Sequence, residues 1–95
     1  MAVSVGRPDW IDNAYVRAAS DRLRSNPQDL DALEAVGAWF LAHERADKAL
    51  ECFHRITRSE PMYPGIWRLK ARAFEALGDP LNADFCRRRG SDPRS

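Results

Sequence analysis

The stretch of sequence that decides the fold is 30–63, which reads LDALEAVGAWFLAHERADKALECFHRITRSEPMY. Apolar residues recur every three or four positions in both of its halves, which is the spacing of one face of a helix. Asp29 stands before the first half as a capping residue, and Pro61 follows the second half as a helix breaker. The pattern predicts two helices, over 30–43 and 46–59.

Similar capping and helix-breaking residues predict helices on both sides of this stretch. Asp9 as a cap and Pro27 as a breaker predict a helix over 10–25. Pro64 is expected in the first turn of a further helix over 64–77, because a proline there lacks only an N–H that would be unpaired anyway.

The C-terminal part predicts one more helix. Gly78 suits a left-handed stop, and Asp79 then caps a short helix over 80–89 that ends at Gly90. In no segment do apolar and polar residues alternate with period two, so no strand is predicted and the predicted fold class is all-α. We expect one helical domain over 9–90, a flexible segment over 1–8 and a disordered tail over 91–95.

The sequence also repeats itself with a period of 34 residues. The matched positions fall in turns and where helices are expected to touch, which is more informative than their number. A shift of 34 places Arg24, Ser25 and Pro27 on Arg58, Ser59 and Pro61, Phe40 on Phe74, Ala42 on Ala76, Ala49 on Ala83, and Cys52 on Cys86.

On these residues the chain resembles the tetratricopeptide repeat, a helix–turn–helix unit of 34 residues. It departs from the family at Lys70, where an aliphatic residue is usual, and at Arg87, where an aromatic one is usual. The resemblance implies an antiparallel stack of helix hairpins, with about five helices in about two and a half repeats. It rests on Leu33, Val36, Gly37, Phe40, Ala49, Phe53 and Pro61 in one copy, and on Trp67, Ala71, Phe74 and Ala83 in the next.

The repeat signature has a physical reason. Small residues such as Gly37 and Ala71 allow two helices to cross closely. Ala49 and Ala83 are the small residues expected to face them on the partner helices, and aromatic residues fill the remaining space. One unit cannot bury its apolar face alone, so units stack on each other. The alternative is a plain helical bundle with accidental periodicity.

Composition excludes several classes of protein. Basic and acidic residues nearly balance, 15 against 14, so the net charge of +1 argues against a dedicated nucleic-acid or membrane-surface protein. No apolar run approaches the roughly 20 residues of a membrane helix, and the segment 1–8 does not have the length or hydrophobicity of a signal peptide. Two cysteines cannot form a disulfide framework, so the expected setting is reducing and cytoplasmic.

No motif indicates catalysis, a metal or a cofactor. The chain contains no G-x-S-x-G elbow, no phosphate loop, no C-x-x-C and no H-x-x-x-H. Cys52 and His54 are two positions apart, so a helix points them in nearly opposite directions. We therefore interpret His43 and His54 as surface residues, and Cys52 and Cys86 as packing residues.

The family resemblance places a binding groove on the concave side, which the first helix of each unit lines. Arg68, Arg72 and Glu75 also follow i, i+4, i+7 spacing, away from the apolar stripe that contains Trp67. An acidic end, a small apolar middle and a basic end suit a peptide or helix of a partner protein. The predicted groove residues are Asp31, Glu34, Ala38 and Leu41, together with Arg68, Arg72 and Glu75.

Two other functions remain open. The chain can be an assembly subunit that self-associates by stacking its incomplete terminal repeats, and Trp10, Trp39 and Phe85 are the expected edge residues. Nucleic-acid binding through the basic residues of the second half is the weaker alternative, because the net charge is near zero. The basic residues in question are Arg68, Lys70, Arg72, Arg87, Arg88 and Arg89.

Overall fold

Five helices joined by short turns make up the part of the chain that the computed structural model describes, residues 14–91. No strand occurs within these residues, so the predicted all-α class is confirmed. The predicted segment 1–8, Trp10 and residues 92–95 lie outside the described range. The helices are α1 (Ala14–Ser25), α2 (Leu30–Ala42), α3 (Ala46–Ser59), α4 (Ile66–Ala76) and α5 (Pro80–Ser91).

Two predicted caps are in place. The carboxylate of Asp29 accepts a hydrogen bond from the backbone N–H of Ala32 at 3.1 Å, at the start of α2. The carboxylate of Asp79 accepts one from the N–H of Asn82 at 3.2 Å, at the start of α5. Each cap satisfies a backbone donor that the first turn of a helix leaves unpaired.

Four helix ends differ from the prediction, and two of these differences are small, because α2 ends at Ala42 and α4 at Ala76, each one residue earlier than predicted. Helix α4 begins at Ile66 and not at 64, because Gly65 has a left-handed backbone with φ of 78° and leaves Pro64 in the preceding turn. Helix α5 continues through Gly90 to Ser91. A Cβ at Gly90 would lie 3.3 Å from the Cβ of Trp67, so the missing side chain allows the last turn of α5 to run close to α4.

The helices form a stack of hairpins. Each helix packs on its neighbours in the chain, most closely α2 on α3 and α4 on α5, and α2 also touches α4. The stack is extended and thin, at 46 × 30 × 16 Å. Its central core contains Leu33, Phe53, Ile56 and Ile66, all fully buried.

The predicted close crossing is found at Gly37. A Cβ added there would lie only 2.6 Å from Cε1 of Phe53 and 3.1 Å from Cβ of Cys52, so α2 and α3 approach each other more closely than a side chain would allow. The three alanines of the repeat pattern are buried as well. They are Ala49, Ala71 and Ala83.

Candidate functional site

The acidic end of the predicted groove is organised by a tyrosine that sequence reasoning missed. Asp31 and Glu34 lie one turn apart on α2, and Tyr63 reaches them from the turn between α3 and α4. The phenol oxygen of Tyr63 lies 2.6 Å from Oδ1 of Asp31 and 2.9 Å from Oε1 of Glu34. One hydroxyl proton therefore serves two carboxylates, and the turn is tied to α2.

This arrangement changes the acidity of the phenol. Burial, the hydrogen bonds to Asp31 and Glu34, and the negative charge of these two groups raise the pKa of Tyr63 well above its ordinary value of 10.0. The tyrosine therefore stays protonated at neutral pH and acts as a hydrogen-bond donor to the acidic pair.

The basic end of the groove lies on α4. Arg68 and Arg72 are both exposed and one turn apart, and within residues 14–91 neither forms an ion pair or a side-chain hydrogen bond. Glu75, also assigned to the groove, forms an ion pair with Arg87 of α5. Arg68 and Arg72 thus keep their charges available, whereas Glu75 ties α4 to α5.

A cavity of about 470 Å³ opens beside Arg68. The side chains of Met62, Tyr63 and Trp67 supply apolar and aromatic lining, and Arg68 and Arg87 supply positive charge. Tyr63 thus belongs both to this cavity and to the acidic pair on α2. The cavity can accept an apolar side chain with a negative group beside it.

The middle of the predicted groove lies on α2. Ala38 is exposed, and Leu41 is half-buried against the core. Trp39, predicted as an edge residue, is half-buried and stacks on the ring of His43, with centroids 4.0 Å apart. Glu34, Ala38 and Trp39 also line a hollow of about 420 Å³ that is open between α1 and α2 among the described residues.

Lys70 does not belong to the exposed basic surface. Its side chain is buried, with Nζ 4.4 Å from the ring centroid of Trp67 and 3.4 Å from Oγ1 of Thr57. Burial lowers the pKa of this ammonium group. The aromatic face and the hydroxyl compensate for a charge at a position where the repeat pattern expects an aliphatic residue.

The arginines of α5 are also engaged. Arg87 pairs with Glu75, Arg88 lies 2.6 Å from the carboxylate of Asp84, and the guanidinium of Arg89 lies 4.8 Å from the ring centroid of Trp67. The six basic residues that suggested nucleic-acid binding therefore do not form one continuous, unpaired surface.

The two cysteines are buried, whereas the two histidines are exposed. Cys52 and Cys86 are buried as free thiols, and burial raises the pKa of each. His54 is exposed, and burial of part of its ring together with the nearby charge of Lys70 lowers its pKa. Among residues 14–91 no three histidine, cysteine, aspartate or glutamate side chains come together as metal ligands, and no helix there is both long and apolar enough to cross a membrane.

The predicted C-terminal edge is exposed. Phe85 on α5 is 58% accessible to solvent and makes an edge-on contact with Trp67 of α4, with ring centroids 6.4 Å apart. Compared with known proteins, the chain matches no family model, no curated protein and no solved structure.

Proposed function

We propose that this chain is a protein-interaction module of the tetratricopeptide-repeat type, which binds a peptide or helical segment of a partner protein across α2 and α4. One observation carries the proposal: Arg68 and Arg72 are exposed on α4 without an ion-pair partner among residues 14–91, next to a helix that presents Asp31 and Glu34. An unpaired guanidinium can bind a carboxylate without first breaking an internal ion pair.

The charges indicate what the partner segment carries. A carboxylate of the segment would bind Arg68 and Arg72, and a lysine or arginine would bind the acidic pair Asp31 and Glu34. Ala38 would allow close approach of the backbone between these ends. A hydrogen bond to a charged group contributes about 1.5–3 kcal/mol, so the two charged contacts contribute about 3–6 kcal/mol and a useful affinity requires an apolar anchor as well.

The cavity beside Arg68 is the natural place for that anchor. Met62 and Trp67 offer apolar contact, and the guanidinium at its rim favours a segment whose apolar residue stands next to a carboxylate. Function therefore lies in binding, and we assign no catalytic residue and no cofactor. A reducing compartment such as the cytoplasm suits a chain with two unpaired, buried thiols.

A phage-displayed library of linear peptides tests the proposal. Peptides selected on the wild-type protein are synthesised, and their dissociation constants are measured by fluorescence polarisation. We expect the charge reversal Arg68→Glu with Arg72→Glu to raise the dissociation constant at least about tenfold, which is about 1.4 kcal/mol. Circular dichroism should show unchanged helicity, because both side chains are exposed and unpaired.

The matched control reverses two charges on α3. Lys48 and Arg58 are also exposed and form no ion pair within residues 14–91, so Lys48→Glu with Arg58→Glu changes the net charge equally. The control should bind the selected peptides with nearly the wild-type affinity. Equal losses in both double variants would show a general charge effect, and unchanged binding by the Arg68 and Arg72 variant would show that the peptide lies elsewhere.

A further inference from the structure

The cavity beside Arg68 lies in the last hairpin, α4 with α5, at a place that is filled in the earlier hairpin, α2 with α3. A shift of 34 residues places Phe53 on Arg87 and Ile56 on Gly90. Phe53 and Ile56 are fully buried in the core that α2, α3 and α4 share. Arg87 and Gly90 are exposed and line the cavity. The last hairpin therefore lacks the two large apolar side chains that close the earlier one.

The remaining walls of the cavity are apolar and aromatic. Trp67 stands at the position of the fully buried Leu33 and lines the cavity together with Met62 and Tyr63. Aromatic rings pack favourably edge to face or offset on one another, and a thioether sulfur makes favourable contacts with a ring. The volume of about 470 Å³ is within the range of pockets that bind a ligand. The walls therefore favour an aromatic side chain as the occupant.

One positive charge at the cavity is available to that occupant. Arg87 is engaged by Glu75, whereas Arg68 is exposed and has no ion-pair partner among residues 14–91. None of the residues that line the cavity is acidic. A carboxylate that stands next to the aromatic side chain can therefore pair with Arg68 without displacing an internal partner.

We propose that the cavity is the pocket for a phenylalanine side chain of the partner segment, with a glutamate or aspartate beside it that pairs with Arg68. The phenyl ring takes the place that Phe53 and Ile56 fill in the earlier hairpin, so the partner completes the core of the last hairpin. This inference rests on the proposed function, because it names the anchor residue of the same segment.

Three capped tripeptides test the anchor and its neighbours separately. They are acetyl-Glu-Phe-Glu-amide, acetyl-Glu-Ala-Glu-amide and acetyl-Gln-Phe-Gln-amide, and binding is followed in proton–nitrogen correlation spectra of the isotope-labelled protein. We expect the first peptide to bind in the millimolar range, because only one side chain is buried, and to shift the indole N–H signal of Trp67 and the amide signals of Gly65 and Gly90. The alanine peptide should cause no such shifts. The glutamine peptide should bind about threefold more weakly, which is the strength of one exposed ion pair.

The variant Gly90→Ile tests whether the peptide occupies the cavity. It gives α5 the residue that α3 carries at the equivalent position, and it should abolish binding of acetyl-Glu-Phe-Glu-amide. Circular dichroism checks that helicity is retained, because the new Cβ would lie 3.3 Å from the Cβ of Trp67.

Two further variants avoid that helix contact. Met62→Ala removes part of the cavity wall at a residue that is 55% exposed, and it should weaken binding about threefold. Arg68→Gln should abolish the preference for the glutamate peptide over the glutamine peptide. The matched control Leu81→Ala removes another exposed apolar side chain, which does not line the cavity, and should bind like the wild type.

The anchor is wrong if acetyl-Glu-Phe-Glu-amide shifts no cavity signal at about 10 mM, if the alanine peptide binds equally well, or if Met62→Ala and a folded Gly90→Ile both bind like the wild type. A preference for glutamate that survives in Arg68→Gln would overturn the carboxylate contact. These results would leave the proposed function intact if library peptides still lose affinity when Arg68 and Arg72 are reversed. A library that yields no ligand would contradict the proposed function, even where the tripeptide occupies the cavity.

Discussion

The crossing of α2 and α3 allows the substitution Gly37→Ala to be worked out from the structure. Alanine is the better helix former by about 1 kcal/mol, so in an uncrowded helix the change would stabilise the protein. Here the new Cβ would lie 2.6 Å from Cε1 of Phe53 and 3.1 Å from Cβ of Cys52, well inside van der Waals contact. Phe53 is fully buried and cannot swing away into solvent.

The two effects have opposite signs. Overpacking of a close-packed core costs about 1–3 kcal/mol, so the net result for Gly37→Ala is a loss of about 0–2 kcal/mol. Gly37→Leu adds three more carbons at the same place and should lose more, about 1–3 kcal/mol. For a domain of this size each kcal/mol lowers the melting temperature by about 4–8 °C.

Urea denaturation followed by circular dichroism measures both variants, and a double-mutant cycle identifies the cause. Phe53→Leu removes the ring atom that the new Cβ would meet, so Gly37→Ala should cost less in that background, with a coupling of about 0.5–3 kcal/mol. The reasoning is refuted if Gly37→Ala raises the free energy of unfolding by about 1 kcal/mol, as helix propensity alone would predict.

Two further predictions concern pH. Hydrogen bonds from Asn82 lower the pKa of Asp79 below its ordinary value of 3.8. The ionised cap therefore stabilises the fold above pH 3.8, and this stabilisation is lost as the pH falls through the pKa of the folded state. The variant Asp79→Ala should have a lower melting temperature than the wild type at pH 7 and the same melting temperature in strong acid. The pKa of Tyr63 is raised above 10.0 in the folded protein, so the unfolded chain loses the phenol proton first and the free energy of unfolding decreases as the pH rises above 10.0. Urea denaturation at alkaline pH should show a smaller decrease for Tyr63→Phe than for the wild type. An equal decrease would contradict the hydrogen bonds from Tyr63 to α2.

The sequence was sufficient for features that depend on neighbours in the chain. Asp29 and Asp79 were assigned as caps because a cap bonds a backbone N–H only three residues on. Gly78 has the left-handed backbone expected of a helix stop. The error at the start of α4 is also local. The preference of proline for the first turn of a helix predicted a start at Pro64, whereas the left-handed backbone of Gly65 delays the helix to Ile66.

The 34-residue period identified the small residue at the crossing but not the atoms it meets. Spacing places Gly37 on the inner face of α2, whereas its contact with the ring of Phe53 depends on how two helices are rotated against each other. Lys70 illustrates the same limit. Its position between Trp67 and Thr57 cannot be inferred from helical periodicity, and by charge alone it was grouped with the basic residues of a nucleic-acid surface.

The candidate site depends most on contacts between distant parts of the chain. Tyr63 meets Asp31 and Glu34 across 32 and 29 residues, and Glu75 meets Arg87 across a hairpin. Helix faces, caps and turns follow from bonds and packing within a few residues, so local sequence specifies them. Which charges neutralise each other and which stay available depends on distances of a few ångströms between packed helices, and those distances exist only once the whole stack has formed.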